Sequence, residues 1–404
     1  MKRSLGLPAV FVVSVAVACG GSSESRDSAA VTVTSASPES TAPATTRTTQ
    51  PIVVDRVALV EDARNRYGSL GAIATVRDAG GEWFTASGSA DMAGTPIDQS
   101  TRFRIASITK PVTATLVLDA VNRGELSLDD IVSDLAPGAL KPEPPTTVRM
   151  LLDHTSGLFN VGDEGDVVAD IANLTDPAMR AEAEDLAARY LAGERVTIPA
   201  PMFVALADTH DRYFEPGTGY HYSNANYMAA AMVLEEATGT SLADLVSARL
   251  VAPLGLEHTS IAPADASTPE LHGYRANADD GLLVDLTDDL LAVGNGGSGG
   301  IISTAGELLT IMQSIVSGWL LPPTLVAEMK QATAASDKSY GLGLATYYLS
   351  CGTFYGHGGS IDGTNSIAIV TPDGAHGTVI VFNVQREPPP DLLPLAESLL
   401  CGTA

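Results

Sequence analysis

The sequence predicts an α+β sandwich: one antiparallel sheet assembled from both ends of the chain, faced by helices, with a mostly helical lobe inserted between. Three observations predict it. Residues 71–77 and 82–88 alternate as strands around the turn Asp78-Ala-Gly-Gly81. Strand-like runs return only near the other end, at 342–349, 366–371 and 378–383, with Pro372-Asp-Gly374 joining the last two. Between these blocks, residues 113 to about 335 are dominated by helical spacing. Helical spacing also opens the domain at Val54–Tyr67 and closes it at Asp391–Leu400, which supplies helices for the sheet. A site is expected in the groove between sheet and helical lobe.

The 404 residues, 45% hydrophobic, are enough for a core of ordinary size, in one two-lobed domain or in two domains. Residues 1–18 read as an export signal, with Lys2 and Arg3 ahead of an apolar run from Leu5 to Ala18 that is too short for a comfortable membrane span. Ala16-Val17-Ala18-Cys19 has the small residue and cysteine of a lipoprotein cleavage site; ordinary cleavage near Ala18 is the alternative. Residues 19–52 are rich in Ser, Thr, Ala and Pro, cannot bury enough surface to fold, and read as a flexible linker. The expectation is therefore a signal (1–18), a lipid-anchored linker (19–52) and a folded domain (53–404), exported and held by lipidated Cys19 at the extracytoplasmic face of a membrane. The formal charge of −25 falls to −27 once Lys2 and Arg3 are removed, which argues against nucleic acid as a partner. A monomer is expected.

The richest stretch is Phe103-Arg-Ile-Ala-Ser-Ile-Thr-Lys-Pro-Val-Thr-Ala114. Ser107 and Lys110 stand three residues apart, so on a helix they share a face. A serine hydroxyl is a weak nucleophile until a neighbouring base takes its proton, and lysine is such a base only where burial or other cations lower its pKa. Lys110 is one of only five lysines, so it is not drawn from a charge run. Pro111 lacks the N–H that a regular helix would direct at the Ser107 carbonyl, which puts Ser107 at the extreme helix start. Further along lie Leu151-Leu-Asp-His-Thr-Ser-Gly-Leu158, Phe214-Glu-Pro-Gly217, Tyr222-Ser-Asn224, Gly299-Gly-Ile-Ile-Ser-Thr-Ala-Gly-Glu-Leu308, Tyr340-Gly-Leu-Gly-Leu344 and His357-Gly-Gly359.

In this order, over roughly residues 55–402, these motifs resemble the serine penicillin-recognising family that includes class C β-lactamases, soluble DD-carboxypeptidases and related esterases. The resemblance implies a β-lactamase/transpeptidase-like fold, a serine acyl-enzyme and no cofactor. It implies Ser107 as nucleophile, Lys110 and Tyr222 as the groups that share its proton, and Asn224 as a bridge between Lys110 and the substrate amide. His357 stands where many relatives carry a lysine; its charge state would make support for Tyr222 pH-dependent near neutrality. Gly359 lets a strand approach the substrate, and Ser360 contributes the oxyanion N–H with that of Ser107. His154 is read as part of a structural turn. Cys351 and Cys401 form an even pair once Cys19 is set aside, and resemble the tail of the soluble peptidases; a disulfide or two buried thiols are the readings.

Two decoys are set aside. Gly296-Gly-Ser-Gly-Gly300 fits the nucleophile elbow of α/β-hydrolases, but Ser298 lies in a glycine run, and the His-Gly-Gly element follows it instead of preceding it. Asp208-Thr-His210-Asp211 lacks a second set of ligands at helical spacing, so no metal is expected. The leading expectation is a D-Ala-D-Ala carboxypeptidase-like enzyme acting on peptidoglycan stem peptides or β-lactams. An esterase or class C-like β-lactamase on the same scaffold, and a non-catalytic cell-wall-binding lipoprotein, are the alternatives. Ala345 counts against the peptidase, because the resemblance places a carboxylate-holding arginine directly after Tyr-Gly-Leu-Gly-Leu. So does Gly358, where a threonine is usual; Arg275 and Arg386 are the candidate substitutes.

Overall fold

The computed structural model describes residues 55–402, apart from 162–169, 193, 195, 262–268, 278–280, 288–295, 362 and 387–388. The expected signal, Cys19 and all of the linker lie outside the described residues.

The sheet has six strands in the order β2-β1-β11-β10-β9-β8. The hairpin β1 (Gly71–Asp78) and β2 (Gly81–Gly88) joins β8 (Ala345–Leu349), β9 (Gly352–Ile361), β10 (Thr364–Val370) and β11 (Gly377–Phe382). All pairings are antiparallel, and β1 meets β11 with Ala72 opposite Phe382 and Arg77 opposite Gly377. Both ends of the chain therefore build the sheet, as the sequence predicted. Two small sheets were not anticipated: β3 (Phe103–Arg104), β7 (Ile301–Ser303) and β4 (Ser260–Ile261) form one, β5 (Tyr274–Ala276) and β6 (Leu283–Asp285) the other. Strands of two or three residues carry too little alternation to show in a sequence.

The central strands are buried on both faces, so they read as almost continuous apolar runs. On one face Ala72, Ala74, Val76, Ile369 and Phe382 pack against Val60 and Ala63 of α1 (Arg56–Tyr67) and Leu395, Ala396 and Leu399 of the closing helix. On the other, Ile73, Ala368, Val379 and Val381 join the large core of the helical lobe. That lobe is led by α2 (Thr109–Asn122), α3 (Asn224–Thr238) and α4 (Ala305–Ser317); the closing helix, Leu393–Cys401, is α5. Local chemistry sets the ends: the Asp55 carboxylate caps α1, the Thr304 hydroxyl caps α4, and Gly239, at φ +63°, ends α3.

Cys351 and Cys401 are bridged, closing a loop of 50 residues. Cys351 sits in the turn between β8 and β9 and Cys401 is the last residue of α5, so the bridge pins the final helix to the sheet edge.

Candidate active site

Ser107 lies in a 3-10 turn, Ala106–Ile108, immediately before α2. Pro111 is then the third residue of α2, where an intrahelical N–H bond is dispensable. Ala106 has φ +51°, a left-handed value that strains any residue with a Cβ. Between Ile105 and Leu118 every residue is buried except Ser107. The rigid core thus offers one hydroxyl to the groove.

Lys110 is fully buried, and its ammonium meets three acceptors: Ser107 Oγ at 3.0 Å, Asn224 Oδ1 at 2.8 Å and the Ser298 carbonyl at 2.9 Å. Tyr222 Oη donates to Ser107 Oγ at 2.8 Å, and Lys110 Nζ lies 4.8 Å from the centre of the Tyr222 ring. Ser107, Lys110, Tyr222 and Asn224, scattered over nearly 120 residues, therefore meet at one point. Removing one proton from the Lys110–Tyr222 pair turns it from donor into acceptor for the Ser107 proton.

Ser298, the decoy nucleophile, is buried and serves through its carbonyl. Gly297 beside it is sterically required, since a Cβ there would lie 2.5 Å from the Tyr227 carbonyl oxygen. Asn160 was missed: its Oδ1 accepts the Asn224 N–H at 2.9 Å at the start of α3. Only its closeness to the His-Thr-Ser-Gly-Leu turn hinted at it.

β8 pairs with β9 only as far as Ala345 opposite Gly356. Beyond that point His357–Ile361 has no partner on the outer edge among the described residues, leaving an open strand edge beside Ser107. Gly359 allows this approach: a Cβ there would stand 2.4 Å from the Ile105 carbonyl oxygen. Ser360 is exposed on the same edge.

His357 departs from expectation. Its Nε2 faces Tyr340 Oη at 3.0 Å and its Nδ1 faces the Gly358 carbonyl at 2.5 Å, while its ring stands 6.2 Å from that of Tyr222. Burial, reinforced by the Lys110 charge, lowers its pKa to about 3. It is neutral across the physiological range, so the anticipated charge switch near neutrality does not operate. Sequence gives a histidine's intrinsic pKa; burial under the β9 edge decides the actual one.

The two candidate arginines lie on other elements. Arg386 covers Gly68 at the end of α1, and Arg275 belongs to the β5–β6 hairpin. Tyr347 occupies the neighbourhood instead. Its hydroxyl would lie 4.0 Å from a Cβ on Gly358. Burial pushes this phenol's pKa up, so it stays uncharged.

With this geometry, comparison with known proteins is decisive. The family model described as "Beta-lactamase" matches residues 57–399. The chain belongs to the serine β-lactamase and penicillin-binding superfamily. Its mixed helix and antiparallel-sheet architecture is the fold of that superfamily. A D-aminopeptidase of Brucella anthropi is 28% identical over 329 residues, 80% of this chain and 57% of the relative. Esterase EstB of Burkholderia gladioli is 35% identical over 218 residues, covering 52% of this chain and 51% of the esterase. The chain thus spans about half the length of these curated relatives. Among solved structures, a D-stereospecific amidohydrolase from Streptomyces sp. is 31% identical with a TM-score of 0.70, over 86% of this chain and 98% of the other.

Proposed function

We propose that this superfamily member is a serine amidohydrolase that forms an acyl-enzyme on Ser107 and prefers D-configured aminoacyl amides or peptides whose leaving group is uncharged. The observation that carries the chemistry is the contact of Ser107 Oγ with both Lys110 Nζ and Tyr222 Oη. In acylation Ser107 Oγ bonds to the substrate carbonyl carbon while its proton passes to the Lys110–Tyr222 pair. The oxyanion faces the N–H groups of Ser107 and Ser360. As the C–N bond breaks, the pair returns the proton to the departing amine. Water then repeats the sequence to release the acid and regenerate Ser107.

The preference over the carboxypeptidase reading rests on the leaving-group side of the β9 edge. Ala345, Gly358 and the neutral Tyr347 hydroxyl stand there, and none supplies the cation that a terminal carboxylate calls for. D-aminopeptidase and D-stereospecific amidohydrolase among the relatives support the same reading. The esterase reading has the same support from Tyr347 and Gly358, and from the likeness to EstB.

One panel separates them: D-phenylalaninamide, an acylated D-Ala-D-Ala peptide and p-nitrophenyl butyrate, each with wild type and Ser107→Ala. Fastest turnover of the amide, lost in the variant, is the expected result. Faster turnover of the D-Ala-D-Ala peptide restores the carboxypeptidase, and of the butyrate the esterase; unchanged activity in Ser107→Ala refutes the mechanism. Export and lipidation at Cys19 belong to the same proposal, and loss of detergent-phase partitioning in Cys19→Ala is the check.

A further inference from the structure

His154 sits in the turn after the helix Val148–Leu152, outside the set of residues in contact with Ser107. Three features mark it. It is fully buried, it has φ +60°, and its ring lies 4.4 Å, centre to centre, from that of Tyr222. Tyr227 at 5.3 Å and Tyr340 at 5.0 Å complete an aromatic box around the imidazole.

The hydrogen bonds are more specific still. The His154 carbonyl accepts the His221 N–H at 3.1 Å, and its Nδ1 accepts the Ser223 N–H at 3.3 Å. One residue thereby holds both backbone donors that flank Tyr222. The left-handed conformation is what lets carbonyl and side chain of one residue reach the same extended segment. Asn226 Nδ2, on the first turn of α3, approaches the same Nδ1 at 2.9 Å. Two N–H donors on Nδ1 assign the ring proton to Nε2. Nε2 is buried and finds no hydrogen-bond acceptor among the described residues.

A turn at this position is formed with less strain by glycine or asparagine. An orphaned buried N–H costs about 1–3 kcal/mol in addition. What the imidazole adds in return is an acceptor for the Ser223 N–H, next to Tyr222, and a flat face against the Tyr222 ring. We propose that His154 is a positioning residue for Tyr222: it clamps residues 221–223 from both sides and its neutral ring fixes the angle at which Tyr222 Oη meets Ser107 Oγ. The inference rests on the reading of Tyr222 as a proton carrier.

The test compares His154→Phe, which keeps a ring without the acceptor, and His154→Asn, which keeps an acceptor and tolerates the left-handed turn. Active sites are counted with a fluorophosphonate that traps Ser107, so that kcat refers to folded enzyme alone. A displacement near 1 Å costs about 10²-fold in rate; His154→Phe should lose about that in kcat with KM within threefold, and His154→Asn should recover part of it. The pH–rate profile per site should shift in both. Unchanged kcat and pH profile per titrated site, with only a lower Tm, would mean that His154 is merely structural and overturn the proposal.

Two controls keep the outcomes apart. Tyr222→Phe should lose at least 10²-fold; if it does not, the reading of the site fails before that of His154 is reached. In wild type, ¹⁵N-histidine NMR should show His154 with Nδ1 bare at pH 7, and its signals should move when Ser107 is acylated. A proton on Nδ1 overturns the clamp even if neither variant folds.

Discussion

Lowering the pH from 7.5 to 5.0 removes stability through His357. Its pKa falls from 6.5 to about 3 on folding, because burial disfavours the imidazolium. The sign follows from which state takes the proton first. The unfolded chain protonates as the pH drops through 6.5, the folded chain only near 3, so stability is complete above the unfolded value and declines toward the folded one. At pH 5.0 the unfolded ring is almost fully protonated and the folded ring hardly at all, a difference of about 2 kcal/mol. The perturbation is His357→Gln, compared with wild type by urea unfolding at both pH values. His154, also buried and also held well below its ordinary pKa, is present in both proteins. The variant should lose about 2 kcal/mol less than wild type over this interval, whatever its stability at pH 7.5. Parallel pH dependence of the two proteins, within about 0.5 kcal/mol, would refute the claim that His357 is buried as the neutral ring.

Other outcomes follow from the same coordinates. Lys110→Ala should lower kcat/KM by roughly 10²–10⁴-fold, the range for a proton-transfer group, with the fold retained as judged by near-UV circular dichroism. Gly359→Ala should cost about 10²-fold in kcat, because its Cβ would stand 2.4 Å from the Ile105 carbonyl oxygen and push β9 off the Ser107 turn. Gly358→Ala meets nothing closer than 3.8 Å and should stay within about threefold of wild type on the same assay. Reducing the Cys351–Cys401 bridge, or replacing both cysteines by serine, should cost up to about 4 kcal/mol in urea unfolding while leaving kcat at 25 °C unchanged.

Much of this was legible because the decisive signals are local. Ser107 and Lys110 are one helical turn apart, so their contact needs only the helix, and Tyr222-Ser-Asn224 runs into α3, whose start fixes Asn224. The sheet strands were readable where they run six to eight residues, as in β1 and β11. What escaped depends on long-range packing. The Ser298 carbonyl reaches Lys110 across 188 residues, and a backbone acceptor leaves no trace in side-chain identity. His154 appeared only as a turn residue because its neighbours, Tyr222, Tyr227 and Tyr340, come from distant segments. The pKa of His357 was misjudged for the same reason, since solvent exclusion is a property of the assembled lobes.

The order in which the chain is made bears on when Ser107 can be used. β1 and β2 are synthesised first, yet β1 lies in the interior of the sheet only once β11 is added beside it. Lys110 needs Ser298, and the open strand edge needs β9, which in turn rests on β10. Such non-local pairings close slowly, after most of the chain is available. A chain that stops at residue 354 lacks most of β9 and all of β10, β11 and α5. Ser107 therefore gains the open strand edge beside it only after residues 355–382, about 250 positions further along the chain, are available to pair.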